Sequence, residues 1–128
     1  MSTPIMNRTT LTSIASLQEF KTILAANPGT IIIKFGAEWC GPCKRIDSQV
    51  HQWFDHLSKT NQSIQTYMID VDDNMDLYGF LKTKKMVNGI PAILAYKLGN
   101  LNYIPDDSVL GANPQEIDAF FRRCIEQK

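Results

Sequence analysis

A chain of 128 residues, 44% hydrophobic, with 13 basic and 13 acidic side chains, has the size of one domain over 1–128 and is too apolar to remain disordered. The cancelled charge, with no block of like charge, argues against nucleic acid or an anionic membrane as the main partner. No apolar run approaches a membrane span, residues 1–8 lack a signal peptide's apolar core, and three cysteines, two of them in one Cys-x-x-Cys, suit a reducing, cytoplasmic compartment.

Ser16-Leu17-Gln18-Glu19 has the form of a capping box ahead of Phe20, Ile23 and Leu24, so a first helix starts there. Asn27-Pro28-Gly29 stops it. The β-branched run Ile31-Ile32-Ile33 is the pattern of a central strand covered on both faces. After Trp39-Cys40-Gly41-Pro42-Cys43, the helical spacing of Ile46, Val50, Trp53, Phe54 and Leu57 predicts a helix to about Leu57. Residues 64–71 alternate weakly and are rich in strand formers, the pattern of a second central strand, and end in the acidic turn Asp70-Val71-Asp72-Asp73-Asn74, with a helix predicted over 75–82. Pro91 opens a strand over 92–96 that turns at Leu98-Gly99-Asn100 into a partner containing Val109 and Leu110, an antiparallel hairpin. Asn113 as N-cap, Pro114 at the first helical position and Glu116 three residues on start a terminal helix. Its packed face carries Ile117, Phe120, Phe121, Cys124 and Ile125. The fold class is α/β, a sandwich of sheet and helices.

Two thiols separated by two residues can form a disulfide and release it without unfolding the chain. At the start of a helix, backbone N–H groups and the macrodipole favour a thiolate, which makes an exposed Cys40 the nucleophile. Its thiolate displaces one sulfur of a substrate disulfide, and Cys43, one turn inward, more buried and less ionised, resolves the mixed disulfide. Gly41-Pro42 sets the redox poise, because Pro42 suits an early helical position and limits how the thiols move. The plainer readings are two core cysteines or half of a zinc site. The second needs two more ligands, and His51 and His56 lie further along the same helix; no metal is expected.

The run Phe35-Gly36-Ala37-Glu38-Trp39-Cys40-Gly41-Pro42-Cys43-Lys44, with Ile90-Pro91 later in the chain, closely resembles the thioredoxin family over nearly its whole length. The resemblance implies a thioredoxin fold, a central mixed β-sheet flanked by helices on both faces. It also implies a monomeric thiol–disulfide oxidoreductase that acts on disulfide-containing client proteins, needs no bound cofactor and is recycled by a reductase such as thioredoxin reductase. By resemblance Trp39 sits beside the thiols as a flat apolar surface for substrate; its plain alternative is packing at the strand end. The Ile90–Pro91 bond would be cis and would place the backbone of Ile90 beside Cys40, ready to pair with an extended substrate strand. Without the resemblance Pro91 is an ordinary strand-opening proline.

The sequence also departs from the family. Lys34 stands where the family buries an aspartate thought to take the proton from the resolving cysteine, and Met68 stands where that aspartate has a partner lysine. An ammonium close to the thiols would stabilise their thiolates and make the pair more oxidising. One that runs out to solvent would leave the resolving step without its general base. We expect the second, because an unpaired buried ammonium is costly and Asp70 and Asp72 lie too far round to pair with it. Gly36 replaces a large aromatic, Ser48 replaces a proline of the second helix, and extra residues fall around 82–86 and 103–107. The first of these insertions either alters partner choice or is a solvated loop. Cys124 reads as a core thiol. The leading function is reduction of protein disulfides; the alternatives are a more oxidising oxidase or isomerase, and a binding module whose dithiol is incidental.

Overall fold

A computed structural model describes residues 8–126; residues 1–7, whose signal-peptide reading is given above, and 127–128 lie outside them. The elements in order are α1 (Leu17–Ala25), β1 (Thr30–Gly36), α2 (Gly41–Thr60), β2 (Ile64–Asp70), α3 (Met75–Thr83), β3 (Ala92–Lys97), β4 (Asp107–Leu110) and α4 (Pro114–Glu126). The sheet runs β2-β1-β3-β4. β1 is parallel to β2 and antiparallel to β3, and β3 is antiparallel to β4.

Period-two alternation along β1 divides the core in two. Ile31, Ile33 and Phe35 face one way, with Phe20 and Leu24 of α1 and Leu77 and Leu81 of α3. Ile32 faces the other, with Ile46, Val50, Phe54 and Leu57 of α2 and Ile117, Phe120 and Phe121 of α4. Helices therefore cover both faces of a mixed sheet, which is the expected arrangement. Each large apolar side chain buried this way contributes about 1.5–3 kcal/mol. α2 and α4 are also joined by polar bonds: Gln49 Nε2 and Trp53 Nε1 each donate to Asp118 Oδ1 at 2.8 Å.

The helix starts follow local chemistry. Ser16 Oγ accepts the Glu19 N–H at 3.1 Å, and Asn113 Oδ1 accepts those of Gln115 and Glu116 at 3.0 and 3.1 Å. Three expectations change. α2 continues to Thr60, one turn past its last apolar residue, because Ser58, Lys59 and Thr60 bond back to Asp55 and His56. Ile125 is 39% exposed, since the packed face of α4 has run off the sheet by its last turn. The insertion at 82–86 is no free loop: it ends α3, with Lys85 at φ 64 and the Met86 N–H donating to Leu81 O at 2.8 Å.

Candidate active site

β1 ends at Gly36, and α2 begins five residues later at Gly41. Cys40 is the N-cap of α2, with extended backbone, and its Sγ accepts the Cys43 N–H at 3.1 Å. Pro42 falls in the first turn, where a missing N–H costs nothing. Cys40 and Cys43 are joined as a disulfide, Cα to Cα 5.3 Å.

Cys40 is not the exposed thiol expected. It is 4% exposed against 2% for Cys43, because its sulfur is covered by Cys43, to which it is bonded, and by Ile90, whose carbonyl oxygen lies 3.8 Å away. That contact is not a hydrogen bond in the oxidised form, since a disulfide sulfur carries no proton. The Ile90–Pro91 bond is cis. Trp39 is 68% exposed, so it does not pack at the strand end. Its indole Nε1 donates to Asp72 Oδ2 at 2.8 Å, which fixes the ring at the rim of the site. Asp72 is a site residue that sequence reasoning missed as a partner; an acidic turn after β2 was its only signal.

The larger correction concerns Lys34. It neither reaches solvent nor lacks a partner. It is buried beneath the dithiol at 4% exposure, and its Nζ lies 3.0 Å from Asp47 Oδ1. In the sheet Lys34 is level with Met68 on one side and Ile93 on the other, so no strand neighbour offers a charge. The counter-charge comes instead from α2. Asp47 is four residues after Cys43, on the same helix face, and that spacing was the signal available in the sequence.

Gly36 follows from the same arrangement. A Cβ there would stand 2.7 Å from Lys34 Nζ and 3.5 Å from Cys43 Sγ. The lysine head occupies space that a side chain at 36 would need, so any side chain there requires the ammonium to move. What remains open is a cleft of about 690 Å³, floored by Lys34 and Gly36 and reached by the Asp47 carboxylate.

Cys124 stands apart from this site. It is buried on α4, and burial first, then the nearby Asp107 carboxylate, pushes its thiol up to about 12. Such a thiol stays protonated and unreactive at neutral pH. Among the described residues no group of three or more His, Cys, Asp or Glu gathers as a metal site.

Comparison with known proteins decides the family. Residues 12–123 match the thioredoxin family model. The chain belongs to the thioredoxin family. It is 32% identical to thioredoxin 1 of Plasmodium falciparum over 114 residues, covering 89% of this chain and 93% of that one. It is 30% identical to thioredoxin-2 of Saccharomyces cerevisiae over 107 residues, covering 84% and 91%. Among solved structures, thioredoxin from Trypanosoma brucei brucei superposes with a TM-score of 0.70 over 99% of this chain and 100% of that one; at 19% identity that likeness speaks for the fold. As a thioredoxin with an intact Cys-x-x-Cys, this protein is a dithiol–disulfide oxidoreductase, and disulfide-bearing proteins and a recycling reductase are its partners in general terms. The Lys34–Asp47 pair lies beneath Cys43.

Proposed function

We propose that this thioredoxin reduces protein disulfides, with Cys40 as the attacking thiol and Cys43 as the resolving one. The observation that carries the reading is the position of Cys40 as N-cap of α2, its sulfur accepting the Cys43 N–H at 3.1 Å. In the reduced protein the same donor and the helix dipole favour a thiolate at Cys40. That thiolate attacks one sulfur of the client disulfide, forms the mixed disulfide and expels the other client sulfur as a thiolate, which takes up a proton. Cys43 then loses its proton and attacks Cys40 Sγ. The bond to the client breaks, both client sulfurs are reduced, and the protein keeps the disulfide described here.

The rim suits an extended client segment. Ile90 offers backbone groups beside Cys40, and Trp39 is exposed and anchored. A reductase regenerates the dithiol without a cofactor bound to this chain. The reading places the protein in the cytoplasm as a monomer, which cell fractionation and size-exclusion chromatography check.

The test is insulin reduction. The intact protein accelerates it and Cys40→Ser does not, while Cys43→Ser accumulates mixed disulfides through Cys40. Full turnover by Cys40→Ser, or an empty Cys43→Ser trap, overturns the assignment.

A further inference from the structure

We infer that Lys34, anchored by Asp47, is a positioning cation for Cys43: it stabilises the Cys43 thiolate in the resolving step and makes the dithiol more oxidising than it would otherwise be. The inference rests on the dithiol exchange proposed above and concerns the charge beneath its second thiol.

Three observations carry it. The lysine is buried at 4% exposure, so its charge is poorly screened. Its Nζ and the Cys43 sulfur face the same small space, the one a Cβ at Gly36 would fill, 2.7 Å from the first and 3.5 Å from the second. Its one ion-pair partner among the described residues, Asp47 Oδ1 at 3.0 Å, belongs to a side chain that is 44% exposed and opens to the cleft. The pair is therefore a dipole with a buried positive end towards Cys43 and a negative end that water screens. The remaining charged or titratable groups around the cleft are Glu38 before α2, Lys44 and His51 on α2, and Asp70 and Asp73 around the end of β2. None of them lies within ion-pair distance of Lys34. Met68 and Ile93, its neighbours in the sheet, carry no charge.

The consequence has a definite sign. When Cys43 gives its proton to solvent and attacks Cys40 Sγ, the charge that forms on Cys43 lies beside an ammonium, which favours it. An opposite charge at such range lowers a thiol's titration midpoint. It therefore raises the thiolate fraction available for resolution at neutral pH. Because only the reduced protein carries that thiolate, the same cation favours reduced over oxidised protein. The role differs from that of a buried carboxylate, which would accept the proton and disfavour the thiolate.

The experiment titrates Cys43 by ultraviolet thiolate absorbance in a Cys40→Ser background, where Cys124, pushed up to about 12, stays silent. Lys34→Met and Lys34→Gln are expected to raise the Cys43 midpoint by about one pH unit or more, and Lys34→Arg to hold it near the starting value. In proteins retaining Cys40, above the Cys43 midpoints of both wild type and variant, Lys34→Met should shift equilibrium with glutathione about tenfold towards the disulfide, which is about 30 mV for this two-electron couple. An unmoved Cys43 titration in whichever of Lys34→Met and Lys34→Gln keeps its circular dichroism spectrum overturns the inference. Absent insulin reduction with a moved titration would instead count against the reductase reading and leave this one standing.

Discussion

Gly36 is the residue at which packing and redox chemistry meet. Its missing side chain is what lets the Lys34 head lie under the dithiol, since an added Cβ would come within 2.7 Å of Nζ and 3.3 Å of Cε. Both atoms belong to the far end of a flexible chain, so Gly36→Ala can be accommodated, but only by moving the ammonium and loosening its bond to Asp47. We expect Gly36→Ala to destabilise the protein by about 1 kcal/mol. Combined with Lys34→Met, it should cost less than the sum of the two single changes by at least about 0.5 kcal/mol, because both act on one contact. Urea unfolding of the four proteins measures that coupling, and strict additivity would mean that the two residues act independently. The same residues mark what could be read from the chain alone. The Cys-x-x-Cys was legible because its chemistry is local, whereas Ile90-Pro91 was legible only through the family resemblance. Asp47 was not found: its partner lies on β1, thirteen residues away in sequence, and only the packing of α2 on the sheet brings them together.

At the scale of elements, α4 is clamped to β4 by Arg123, whose Nε donates to Asp107 Oδ2 at 2.7 Å and whose Nη2 donates to Oδ1 at 3.0 Å. A two-pronged bond of this kind is the stronger form of a charged pair. It holds the Asp107 carboxyl below the usual carboxylate range, first through the guanidinium hydrogen bond and with the Ser108 N–H and the charges of Arg123 and Lys97 adding to it, against the opposing effect of burial. A carboxyl lowered in the folded state stabilises the fold above its unfolded value, and that contribution disappears as pH falls through the folded value. The clamp should therefore be intact at neutral pH and weaken below pH ~4. Denaturant titrations from neutral to acid pH should show Arg123→Gln losing less stability over that acid range than the wild type does. Equal losses would mean that the clamp does not contribute. The start of α4 was readable from Asn113 and Pro114, whereas this clamp was not, because it joins two elements through side chains alone. The two insertions tell the same story: Lys84 Nζ sits over the Phe80 and Tyr103 rings at 5.8 and 5.7 Å, and Phe80 meets Tyr103 edge to face at 5.4 Å. Segments that read as separate loops brace one another.

For the whole molecule, redox poise and folding stability are two views of one cycle. Because the fixed field of Lys34 on Cys43 exists only in the folded chain, whatever that lysine does to the potential must reappear as a difference in unfolding free energy between the oxidised and reduced forms. The sheet order that makes this possible, β2-β1-β3-β4, was not legible in the strand patterns: residues 64–71 read as a second central strand, yet β2 is an outer one, because periodicity identifies strands without naming their neighbours. That order puts β1 in the interior, with strands on both sides and helices on both faces, and so forces a lysine at position 34 to be buried. Replacing a buried ion pair member by an apolar side chain of similar size changes the stability of both redox forms. The part common to both cancels in the difference. Above the Cys43 midpoints of both proteins, the gap by which oxidised Lys34→Met exceeds its reduced form in stability should widen, relative to the wild type, by about 1.4 kcal/mol, the counterpart of a tenfold change in the exchange constant. Paired denaturation curves of the oxidised and reduced proteins give that gap directly. A gap equal to the wild-type one would place the Lys34 charge outside the reach of Cys43, whatever the lysine contributes to the fold.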